Sequence, residues 1–155
     1  LEKENVTLTA GSSVGMGYVI KTFGEPGKNI ITVTPSFAMY EVYAEMIGMK
    51  VVNMQYESDF SYKVENTLAA INEDTGIVVL VNPNMPVGNV YAKEDIKAIV
   101  EKAKEFNALV IIDEAHQGQK QLWLTEGVGH AFSYRMYHKE YSDIVKEFMA
   151  IETRN

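Results

Sequence analysis

At 155 residues, with 46% hydrophobic and 23% charged content, the chain has the size and composition of a single globular core. A net charge of −7 with no basic run argues against nucleic acid or an anionic membrane surface as a partner. The lack of cysteine excludes a disulfide framework, a thiol nucleophile and a cysteine metal site, and without a membrane-length apolar run or a signal peptide the expectation is a soluble cytoplasmic protein.

Val6 to Ala10 alternates like a short strand, and Met16, Val19, Ile20 and Phe23 recur at helical spacing. Between them Gly11-Ser12-Ser13-Val14-Gly15 matches G-x-S-x-G in a strand–turn–helix context. Three readings are open for it. As a nucleophile elbow, Ser13 would stand on a strained turn made possible by Gly11 and Gly15, with the Val14 N–H beside it to receive an oxyanion. As a phosphate turn, the same backbone would cradle an anion at the helix N-terminus through Gly11 and Ser12. It is otherwise a plain tight turn.

Gly24-Glu25-Pro26-Gly27 ends this helix, and Asn29 to Thr34 is the second expected strand. Pro35 and Ser36 open a helix carrying Met39, Tyr40, Val42, Tyr43, Met46 and Ile47, closed by Gly48. Lys50 to Met54 is the third strand, and Ser61 caps a short helix with Val64, Leu68 and Ile71 inward. The run Gly76 to Val81 has the continuous apolar character of a central parallel strand, the fourth. The loop NPNMPVGN leads to a helix whose Ile96, Ile99, Val100, Ala103 and Phe106 form one stripe. Ala108 to Ile112 is the fifth strand, ending at Asp113-Glu114-Ala115-His116. Beyond it, Gln121 to Leu124 is expected as a sixth strand, Gly127 to Ala131 as a loop, and Tyr137 to Met149 as a final helix. The alternation predicts one α/β domain over residues 1–155, a three-layer α-β-α Rossmann-like sandwich on a mainly parallel sheet of about six strands.

Residues 5 to about 116 resemble the large domain of fold-type-I pyridoxal-phosphate aminotransferases, histidinol-phosphate aminotransferase most of all. The resemblance rests on TFGEPGKNIITVTPSFAMYEVYA, on NPNMPVGN against the family's N-P-N-N-P-T-G, and on DEAH against its D-E-A-Y. It implies Asp113 as partner of the cofactor's ring nitrogen, Phe37 as the ring-stacking residue and Gly11-Ser12 as the phosphate turn. Several positions depart from the pattern. Met85 stands where the family's asparagine meets the phenolic oxygen, Val87 replaces a threonine, and His116 replaces a tyrosine. The turn that commonly reads N-G-S-D-E is Ala10-Gly11-Ser12-Ser13-Val14, and no Ser-Lys motif supplies the family's cofactor-binding lysine. These departures lead to the expectation that no pyridoxal phosphate is bound and no transamination occurs.

Residues 121–149 resemble the last strand, catalytic-histidine loop and final helix of an α/β-hydrolase, with His130 in the histidine's place. Together the two resemblances predict a chimera or design, residues 1–116 from one source and 117–155 from the other. If the sixth strand fills the gap beside the first, the sheet order is 3-2-4-5-6-1. Ser13, Asp113 and His130 then share one carboxyl edge in the chain order of a hydrolase triad. The expected activity is hydrolysis of small or activated esters through Ser13 as nucleophile, His130 as base and Asp113 as its orienting acid, with Val14 as oxyanion donor and no metal. Phe37, Tyr40, Met85 and His116 would line the acyl pocket, and His116 is an alternative base. The alternatives are an inactive chimeric scaffold, or a non-covalent pyridoxal-phosphate or phosphate binder using Gly11, Ser12, Phe37 and Asp113. A loose fit of the sixth strand would expose an edge, so the chain is expected to be a monomer or weak homodimer.

Overall fold

The computed structural model describes residues 7–114. The chain forms two compact units, residues 1–115 and 116–155, and the described residues belong to the first. In chain order they form α1 (Ser12–Phe23), β1 (Asn29–Thr34), α2 (Met39–Met46), β2 (Lys50–Gln55), α3 (Val64–Ala70), β3 (Thr75–Asn82), α4 (Lys93–Glu105) and β4 (Leu109–Glu114).

All strand pairings are parallel, and the sheet order is β2-β1-β3-β4. That is the order expected of the second to fifth strands. Strand alternation divides the apolar side chains between two layers. Ile30, Ile77, Val79 and Ile111 pack on one face with Ile20 of α1 and Tyr40 and Ala44 of α2. Ile31, Val78 and Leu80 pack on the other face with Ile71, Tyr91 and Ile99. β3 is buried on both faces, which is why its sequence is continuously apolar. No helix among the described residues is long and apolar enough to cross a membrane.

Four local expectations change. Residues 7–10 form no strand: all four are exposed, and the Thr9 hydroxyl donates to the Gly11 carbonyl at 2.9 Å. α2 starts at Met39 rather than Pro35, because the Ser36 hydroxyl is spent on Asn84 Oδ1 at 2.6 Å and caps no helix. Ser61 likewise caps nothing, since the N-cap of α3 is Lys63, two residues further on, and it makes no side-chain cap bond. Phe23, Val42 and Met46 are exposed rather than inward. The sixth strand, the histidine loop and the final helix lie outside the described residues.

Candidate functional site

Parallel strands place all their carboxyl ends at one edge, and helices running back against them bring their N-termini to that edge. There the end of β4, the loop after β3, the segment between β1 and α2, and the first turn of α1 enclose a cleft of about 580 Å3. Ser12, Ser13, Phe37, Tyr40, Met85 and Asp113 all line it, together with Ser36, Val81, Pro83 and Pro86.

The α1 end of the cleft suits an anion. Its N-cap is Gly11, at φ 99°, which carries no capping side chain, and the first turn holds no acidic residue. The first-turn N–H groups that a helix leaves without internal partners, with the Ser12 and Ser13 hydroxyls, therefore offer donors and no negative charge at a positive helix end. The β4 side of the cleft suits a cation. Asp113, half-buried near the end of β4, offers a carboxylate whose Oδ2 accepts a hydrogen bond from the Tyr40 hydroxyl. Burial, reinforced by the Asp113 hydrogen bond and charge, raises the Tyr40 pKa well above its ordinary value, so the phenol remains a donor at neutral pH. Phe37 presents a half-exposed ring to the same cleft, held edge-on to Tyr40 with centroids 5.5 Å apart and planes at 78°. Met85, 73% exposed, brings an apolar thioether to the rim.

The residues expected around Ser13 do not make a nucleophile elbow. Ser13 and Val14 lie within the first turn of α1 in helical conformation. Among the described residues only Phe60 and Asn107 are non-glycine positions with positive φ, so Ser13 stores none of the strain that exposes a hydrolase serine. Asp113 has a phenol for a partner. His116 and His130 lie outside the described residues. The Tyr40–Asp113 pair joins positions 73 residues apart, and nothing in the sequence pattern signals it beyond their separate nomination. A second cavity of about 430 Å3 opens among Lys28, Thr75 and Leu109 at the starts of the strands, the edge where open α/β sheets do not hold their sites.

Comparison with known proteins bears on the same cleft. The sequence model of the family Aminotransferase class I and II matches residues 1–120. Histidinol-phosphate aminotransferase of Flavobacterium johnsoniae is 34% identical over 128 residues, covering 81% of this chain and 36% of that protein. Among solved structures, YbdL from Escherichia coli, for which a methionine aminotransferase function is described, superposes with a TM-score of 0.64 at 25% identity, covering 68% of this chain and 28% of that one. Cystalysin from Treponema denticola, whose structure contains pyridoxal 5'-phosphate, shares the fold with a TM-score of 0.66 at 17% identity, covering 75% of this chain and 30% of that one. The chain spans about a third of the length of the curated relatives it matches.

These matches correct the expected chemistry. The Ser13–His130–Asp113 ester hydrolase is overturned: the family match spans the whole G-x-S-x-G segment and Asp113, and it is to aminotransferases. The expectation of no cofactor is overturned with it, because it rested on setting the aminotransferase family aside, and the chain matches that family. The family's cofactor-binding lysine, which the resemblance places beyond its own matched residues, does not bear on the cleft of residues 7–114. An origin as a chimera finds no support in the matches, which reach residue 120 in one family.

Proposed function

Because the chain belongs to the class I and II aminotransferases, we propose that residues 7–114 build the pyridoxal-phosphate cleft of an enzyme that transfers amino groups. The observation that carries this reading is the convergence of an uncapped helix end, a flat aromatic face and a carboxylate on one cleft. Its volume lies within the ordinary range of small-ligand sites.

The donor set fits the group. The α1 N-terminus with Ser12 and Ser13 would hold the phosphate, Phe37 would stack on the ring, and Asp113 would face the ring nitrogen and keep it protonated. Bound there, pyridoxal phosphate supplies an electron sink that no side chain offers. The chain's own residues prepare the pocket for it. Tyr40 fixes the Asp113 carboxylate by donating to Oδ2 and, being buried, adds no competing charge. Pro83, Met85 and Pro86 form an apolar rim that limits water around the ring. Met85 offers no hydrogen bond to the phenolic oxygen, so orientation rests more heavily on the phosphate end and on Asp113. Residues 121–149 supply no group to this reading. The relatives named histidinol-phosphate aminotransferase make a phosphorylated amino alcohol the substrate class to test first.

Calorimetric titration with pyridoxine 5'-phosphate tests the cleft, because this ligand carries ring and phosphate but no aldehyde to react with surface lysines. Saturable one-to-one binding is expected, weakened at least about tenfold in Asp113→Ala, consistent with loss of a charge-assisted contact. Equal affinity of parent and variant refutes the assignment.

A further inference from the structure

A chain of polar side chains links two of the segments that line the cleft. Asn84, 1% exposed, sits in the loop between β3 and α4, next to Met85. Its Oδ1 accepts from the Ser36 hydroxyl at 2.6 Å. Its Nδ2 donates to the Pro35 carbonyl at 3.0 Å and to the Tyr56 hydroxyl at 2.5 Å. Tyr56 Oη in turn donates to Asn89 Oδ1 at 2.5 Å, which ties down the far end of the same loop. Within the loop, the Asn84 N–H donates to the Asn89 carbonyl at 3.0 Å. Every hydrogen-bonding group of the Asn84 side chain is therefore used.

The placement of the partners gives these bonds their significance. Ser36 immediately precedes Phe37, and Asn84 immediately precedes Met85, so one buried amide joins the two segments that bring these residues to the cleft. Tyr56 stands just past the end of β2, a strand that contributes no residue to the cleft. Its ring is held edge-on by Tyr62, 5.6 Å away, and Tyr62 is held in turn by Tyr91 at 5.5 Å. Burial raises the Tyr56 pKa against the lowering effect of its two asparagine hydrogen bonds, which keeps the hydroxyl able both to accept and to donate at neutral pH. The residue that follows an edge strand thus adds a brace to a loop that Asn84 also ties to Pro35 and Ser36.

We propose that the Tyr56–Asn84–Ser36 hydrogen-bond chain is a positioning device that fixes the separation of Phe37 and Met85, and with it the affinity of the cleft for a planar phosphorylated ring. The first half rests on geometry alone, and the second rests on the cofactor reading above.

The test compares the full chain with Tyr56→Phe, Ser36→Ala and Ser36→Thr, and with Tyr62→Phe as a hydroxyl deletion outside the chain of bonds. Two quantities are measured: backbone 15N order parameters at Phe37 and Met85 without ligand, and the dissociation constant for pyridoxine 5'-phosphate. In Tyr56→Phe and Ser36→Ala the order parameters are expected to fall from about 0.85 toward about 0.6 at both positions. Affinity is expected to drop about tenfold, the loss typical of one buried hydrogen bond. Ser36→Thr, which keeps the hydroxyl, keeps the order parameters at the parent's level, and Tyr62→Phe leaves both quantities unchanged. Unaltered order parameters in Tyr56→Phe overturn the proposal whatever the parent binds. Loosened walls in a parent that binds no pyridoxine 5'-phosphate support the positioning role and overturn the cofactor reading. Loosened walls with unchanged affinity overturn the claimed coupling to the ligand.

Discussion

Replacing Tyr40 by Phe deletes one atom, and the structure indicates what that atom does. The ring is 1% exposed and belongs to the core beneath α2, so the phenylalanine fills the same space and leaves no cavity. What is lost is a hydroxyl donating to Asp113 Oδ2. Hydrogen bonds to charged groups contribute about 1.5–3 kcal/mol, and because water still reaches half-buried Asp113 the low end applies, about 1.5 kcal/mol at pH 8. The pH dependence separates this bond from mere packing. The folded-state pKa of Tyr40 is raised, chiefly by burial, above the value near 10 that it takes in the unfolded chain. Its contribution is therefore complete below pH 10 and declines above it, as ionisation stabilises the unfolded state. At pH 10.5 an unfolded tyrosine gains about 0.8 kcal/mol this way, while phenylalanine gains nothing. The gap between parent and variant should then narrow from about 1.5 to about 0.7 kcal/mol, read from urea midpoints at the two pH values. An equal gap at both would mean that Tyr40 ionises as easily folded as unfolded, and the buried Tyr40–Asp113 bond would be refuted.

Thr32 is 2% exposed, and its Oγ1 has no hydrogen-bond partner among the described residues. Thr32→Val, which keeps the shape and removes the unsatisfied hydroxyl, should raise stability by about 1 kcal/mol in urea unfolding. Gly24 has ordinary backbone angles, yet a Cβ there would lie 2.5 Å from the Ile20 carbonyl oxygen and 2.5 Å from Ile47 Cδ1. Gly24→Ala should therefore cost about 2 kcal/mol, seen as a lowered urea midpoint with an unchanged slope. Met85→Asn places an amide where the aminotransferase resemblance implies a donor to the phenolic oxygen. Pyridoxine 5'-phosphate should bind about fivefold tighter, and no gain in calorimetry would show that the rim at position 85 does not face that oxygen.

The scaffold was legible because its signals are redundant. Continuous apolar strands, alternating with stripes such as Ile96, Ile99 and Ala103, admit few arrangements other than a parallel sheet covered on both faces. The segment from residue 6 to 10 misled because alternation alone cannot tell a strand from an exposed extended segment; a strand also needs a neighbour, and Thr9 bonds to its own turn instead. The chemistry misled for a sharper reason. A serine-rich turn between glycines at a helix start serves a phosphate and a nucleophile equally well in sequence, and only the backbone angles of Ser13 separate them. Those angles are helical, so Ser12 and Ser13 act as donors at a helix end rather than as a strained nucleophile. Asp113 was nominated under both readings, and its partner decides between them. A triad needs an imidazole against that carboxylate, whereas a site for a cationic ring needs the carboxylate held still and left ionised. A neutral buried phenol, contributed by α2 on the same face of the sheet, meets the second requirement and adds no base of its own. On the proposed reading, the charge that would face the ring and the helix end that would face the phosphate rest on separate elements, so the proposal does not depend on an asparagine at position 85.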